Sequence, residues 1–88
     1  KKMKVTLTKR AQKFLSKIER SDYKLYNRLK NAVSSIPDLL RNRQGDIKQL
    51  TGEKNLYRLR IGDIRIIFRP EFPTELIIEE IDFRGNIY

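Results

Sequence analysis

Eighty-eight residues make one domain, spanning 1–88, with a single modest core. Lys and Arg number 20 against 11 Asp and Glu, a formal charge of +9 that points to a polyanionic partner. The absence of cysteine excludes a disulfide framework and thiol chemistry. The absence of histidine removes the usual near-neutral base and the commonest zinc ligand. The acidic residues show no ligand-like spacing, so neither a metal nor a cofactor is expected. No apolar run approaches the roughly 18–20 residues that span a bilayer, and no signal-peptide pattern is present, so a cytoplasmic protein is expected. Met3 suits a native start, with Lys1 and Lys2 left from something upstream.

In chain order, Lys4 to Leu7 suits a short first strand, and Thr8 a helix N-cap. Ala11, Phe14, Leu15 and Ile18 then recur at helical spacing, with Lys and Arg on the opposite face. Ser21-Asp22 caps a second helix whose stripe is Leu25, Leu29, Ala32, Val33 and Ile36. Pro37 is expected to end it, because proline disfavours helix at the residue before it. Residues 38–46 read as a polar connection carrying a docking pair, Leu39 and Leu40. Ile47 to Leu50 opens the sheet, and residues 51–55 turn it.

The most informative segment is Leu56–Arg69. Strand side chains alternate between faces, so Tyr57, Leu59 and Ile61 share an apolar face while Arg58 and Arg60 take the other. Gly62-Asp63 is a two-residue loop with glycine first, the signature of a type II′ hairpin. Counting outward pairs Ile61 with Ile64, Arg60 with Arg65, and Leu59 with Ile66. Directly opposed arginines repel, costing about 0.2–1 kcal/mol. A bound phosphate is the natural group to offset that. The strand is expected to end near Arg69, with residues 70–74 a loop because Pro70 and Pro73 forbid a central strand. Glu75 to Phe83 is the last strand, interior to the sheet, and Gly85 bends the chain before Ile87-Tyr88. Helices first and an antiparallel sheet afterwards define a two-layer α+β domain.

Residues 1–45 carry 13 basic and 3 acidic side chains, a net of +10, whereas residues 46–88 carry 7 and 8. The basic half either lies on nucleic acid or is a solvated helical face. If the last strand keeps the hairpin's alternation, Glu80, Asp82 and Arg84 join Arg58, Arg60, Arg65 and Arg69 around a shallow basic groove. Arginine forks suit phosphate oxygens and stabilise charge that grows on an attacked phosphoryl group. A tyrosine such as Tyr88 can stack on a base or serve in proton transfer, or simply tuck against the sheet. The chemistry this favours is RNA cleavage by the neighbouring 2′-hydroxyl, which needs no metal.

Val5–Ala11, Ile47–Gly52, Leu56–Phe68 and Ile81–Tyr88 together resemble the RelE/ParE superfamily of toxins from toxin–antitoxin pairs. The resemblance implies two N-terminal helices packed on a small, mostly antiparallel β-sheet. It implies a RelE-like endoribonuclease that cleaves mRNA in the ribosomal A site and so inhibits translation. Arg65 would clamp the scissile phosphate, Arg60 and Arg84 would assist, and Tyr88 would stack on the mRNA base. Arg58, Arg69 and Lys48 would contact substrate. A cognate antitoxin, the ribosome and mRNA are the implied partners, with no membrane. Two departures stand out: arginine occupies positions where relatives often carry lysine, and Phe83 stands where many carry histidine. The general base is therefore unassigned: Asp82 or Tyr88 acts, or the arginines supply electrostatic stabilisation alone. Two alternatives stay open: a ParE-like toxin that binds DNA gyrase without catalysis, and a catalytically silent RNA-binding relative.

Overall fold

The computed structural model describes residues 3–43, 45–52 and 54–83. Strand β1 (Lys4–Leu7) leads into helices α1 (Lys9–Ser21) and α2 (Tyr23–Asn42). Strands β2 (Ile47–Gln49), β3 (Tyr57–Ile61), β4 (Ile64–Glu71) and β5 (Glu75–Phe83) follow. The result is the expected α+β architecture. The five strands form one sheet in the order β1-β5-β4-β3-β2, antiparallel except where β1 runs parallel to β5.

The helix starts follow from their caps. Thr8 Oγ1 accepts from the Ala11 N–H and opens α1. Asp22 alone separates the helices: its N–H closes α1 on Ile18 O, and its carboxylate accepts from the Leu25 N–H to open α2. The stripes read from the sequence pack on one face of the sheet, with Ala11, Ile18, Leu29, Ala32, Val33 and Ile36 buried and Phe14, Leu15 and Leu25 partly buried. That face supplies Leu59, Ile64, Ile66, Phe68, Leu76, Ile78 and Ile81. Tyr57 belongs to it too, stacked on Phe68 at 5.8 Å between ring centroids.

Pro37 does not end α2. The helix runs through it to Asn42 and closes on Arg43, whose N–H bonds to Leu39 O and Leu40 O. An interior proline costs about 3 kcal/mol. The continuation carries Leu39 and Leu40 against the core, where both are partly buried and offset some of that cost. The polar connection is thus shorter than the sequence suggested.

Pro70 also lies in a strand. It pairs with Leu76 inside β4, and only residues 72–74 turn. The β3 ladder ends at the Tyr57–Phe68 pair, so at Pro70 the strand has β5 on one side only. A proline needs no hydrogen-bond partner on such a local edge.

One irregularity positions the site. Phe68 pairs with Ile78 and Ile67 with Glu80, leaving Glu79 as an extra residue in β5. Thr8 Oγ1 holds this bulge by donating to Glu79 O at 2.7 Å. Before the bulge Leu76 and Ile78 face the helices; after it Ile81 does. Glu80 and Asp82 are thereby turned to the opposite face.

Candidate active site

The face of the sheet away from the helices carries the arginines. The hairpin register is the one counted from the sequence, with Arg60 opposite Arg65, Arg58 opposite Ile67 and Leu59 opposite Ile66. Gly62, at φ 54, supplies the left-handed turn position that makes this register possible. Because of the bulge, Asp82 lies in register with Arg65 and Glu80 with Ile67. One row across the sheet is therefore Arg60, Arg65, Asp82, and the next is Lys48, Arg58, Ile67, Glu80.

These residues differ in how free they are. Arg58 is 6% exposed, its Nη1 donating to Asp46 O and Asp46 Oδ1, both at 3.1 Å. Arg60 is partly exposed; its backbone N–H donates to Asp46 O, and its Nε lies 3.6 Å from Asp46 Oδ2. Arg65 is also partly exposed and sits between Arg60 and Asp82. Lys48 is exposed on the outer strand β2. Arg69 lies farther along β4, its Nε donating to Glu79 Oε2 at 3.0 Å with Nη2 on the same oxygen. Thus Lys48, Arg58, Arg60 and Arg65 are brought together, and Arg69 is engaged at the far end of the strand. Arg84 and Tyr88 lie outside the described residues.

Sequence reasoning missed Asp46. It expected a bound phosphate to offset the opposed arginines, yet the chain itself supplies a carboxylate at Arg60 and a second in register with Arg65. The guanidinium of Arg58, followed by the charges of Arg60 and Lys48, holds the Asp46 carboxyl below the usual carboxylate range. The preceding Gly45, at φ 82, lets the chain turn there; a Cβ at this position would lie 3.3 Å from a Leu39 methyl. A Gly-Asp pair at a strand entrance was the one sequence signal available.

Beside this face, α1 lines a groove of about 1110 Å³ with Lys9, Arg10, Lys13, Lys17 and Arg20, opposite Glu80 and Asp82. Arg10 reaches Glu80 at 3.2 Å. The basic stretch of the sequence thus adjoins the arginine rows. Among the described residues, no group of three or more His, Cys, Asp or Glu converges to hold a metal ion, and no helix is long and apolar enough to cross a membrane. Arrayed cations beside carboxylates on an open face fit a phosphodiester in extended, single-stranded form.

The fold is one found in solved RelE-like toxin structures. No family profile and no curated protein sequence matches the chain. Solved structures do. The YoeB dimer from Staphylococcus aureus superposes with a TM-score of 0.76 at 14% identity, over 96% of this chain and 99% of that one. The toxin–antitoxin complex RelBE2 from Mycobacterium tuberculosis gives 0.71 at 22% identity, over 96% and 100%. The RelB–RelE antitoxin–toxin complex from Methanococcus jannaschii gives 0.68 at 24% identity, over 94% of each chain. Two helices on a five-stranded mixed sheet are common to this chain and to these RelE-like folds.

Proposed function

We propose that this chain is the toxin of a toxin–antitoxin pair and a metal-independent endoribonuclease that cuts mRNA in the ribosomal A site. The observation that carries the reading is the row Arg60, Arg65, Asp82, with cations and a carboxylate in register on the open face. The toxin-like fold supports it, as does the basic groove of α1, which suits ribosomal RNA.

In this reading the mRNA 2′-hydroxyl oxygen attacks the adjacent phosphorus and gives up its proton. The bond from phosphorus to the 5′ oxygen breaks, that oxygen takes a proton, and a 2′,3′-cyclic phosphate remains. Arg65 clamps the phosphate and Arg60 neutralises the charge that grows on its oxygens, a role worth about 10²–10³ in rate for one well-aimed donor. Arg84 assists the leaving group, Tyr88 orients the base, and Lys48 and Arg69 guide the flanking strand. A guanidinium does not give up its proton, so the base falls to Asp82 or Tyr88, and Asp82 stands in register with Arg65. Arg58 is spent on Asp46 and supports the site from beneath. An acidic, amphipathic antitoxin matches the basic surface and restrains the toxin; the similar structure RelBE2 is a toxin–antitoxin complex.

The test is a purified translation reaction on a defined mRNA, read by primer extension with and without ribosomes. Cuts at A-site codons that need ribosomes and vanish in Arg65→Ala establish the ribonuclease. Intact mRNA overturns it; a gyrase supercoiling assay then separates a ParE-like toxin from a silent relative.

A further inference from the structure

Two arginines on the same face, two residues apart in β3, meet the same carboxylate in different ways. Arg58 is buried and donates to both the carbonyl and the carboxylate of Asp46. Arg60 accepts only guidance: its Nε is buried and makes no hydrogen bond among the described residues, although Asp46 Oδ2 lies 3.6 Å away. A buried guanidinium N–H without a hydrogen bond costs on the order of 1–3 kcal/mol, so the arrangement persists because something else fixes it. That something is the loop. Asp46 O accepts both from Arg58 Nη1 and from the Arg60 backbone N–H, and Gly45 makes the turn against Leu39 and Leu59.

We propose that Asp46 is a positioning residue. Its carboxylate fixes Arg58 as a buried strut and steers the Nε edge of Arg60, leaving the rest of that guanidinium for the substrate phosphate across from Arg65. This rests on the ribonuclease reading for what Arg60 does, but not for how Arg60 is held. The carboxylate works in two opposed directions. It orders the cation that meets the phosphate, and its own negative charge weakens the attraction of the face for RNA. A group that only stabilised the fold would do neither, and a group that only tuned charge would not affect the order of Arg60.

The opposition gives a signature that a purely structural residue lacks. In Asp46→Asn the amide oxygen still accepts from Arg58, so the strut is retained while the negative charge is lost. Affinity for a fluorescent single-stranded RNA decamer, measured by anisotropy, stays level or tightens a few-fold. The single-turnover cleavage rate on programmed ribosomes falls roughly tenfold to a hundredfold. Asp46→Glu restores part of the rate. The Nε–Hε NMR signal of Arg60 in the free protein shifts or broadens in Asp46→Asn, while that of Arg58 is kept. Parallel loss of binding, cleavage and thermal stability, or cleavage at the wild-type rate with an unchanged Arg60 signal, overturns the proposal. If the wild-type protein cuts nothing, the ribonuclease reading has failed. The Arg60 signal then decides the positioning role alone: a change in Asp46→Asn supports it, and no change refutes it.

Discussion

The two faces of the sheet are built on different principles. The helix-facing side is held by many interchangeable apolar contacts, with Leu59, Ile66, Phe68, Leu76, Ile78 and Ile81 all essentially inaccessible. The other side is held by a few specific ones: Asp46 to Arg58, Arg60 opposite Arg65, Asp82 in register. Hydrophobic burial is additive and non-directional, so the first face keeps its form when one contact weakens. Charged hydrogen bonds are directional, so on the second face one group decides where its neighbours point. Stability should therefore live on one face and activity on the other.

The largest effect that sharpens this contrast is Phe68→Ala, which empties the centre of the core. It should cost about 3–5 kcal/mol in urea unfolding. Arg65→Ala on the opposite face should leave the melting temperature within a few degrees while cleavage drops by about 10²-fold or more. A matching loss of stability would break the contrast. Thr8→Ala tests a residue that serves both faces, since it caps α1 and pins the β5 bulge. About 1 kcal/mol of stability should go, the usual worth of an N-cap, with a further loss of cleavage as Asp82 leaves its register. The smallest effect is one of pH. The Asp46 carboxyl sits below its ordinary value in the folded protein, chiefly through its hydrogen bond with Arg58. Its stabilising contribution is thus complete above the ordinary aspartate range, near pH 4. It is lost as pH falls through the folded value. Urea melts of the wild type and Asp46→Asn should differ by a constant amount at neutral pH and converge in acid.

The same contrast explains what could be read in the sequence. The hairpin was legible because Gly62-Asp63 fixes register locally, and the helices because their stripes and caps are local too. Pro37 and Pro70 were misread because tertiary context outweighed the local rule: Leu39 and Leu40 reward a longer helix, and Pro70 lies where β4 has one neighbour. The register of β5 against β4 was left open, since it depends on a bulge held by Thr8 from the far end of the chain. Asp46 was invisible for a similar reason. Its partners lie 12 and 14 positions away, and nothing in the spacing says that the loop folds back. Arg58 consequently read as a substrate contact when its guanidinium is already engaged.

The extra residue at Glu79 acts on β5 like a shift of reading frame. Upstream of it even-numbered side chains enter the core; downstream odd-numbered ones do. Substitutions along the strand alter one position, whereas removing Glu79 would restore regular alternation, keeping Ile81 inward and Glu80 and Asp82 outward while taking away the carbonyl that Thr8 holds. One further residue added after Glu79, with regular alternation beyond it, would instead exchange the whole downstream set, drawing Glu80 and Asp82 inward and casting Ile81 out.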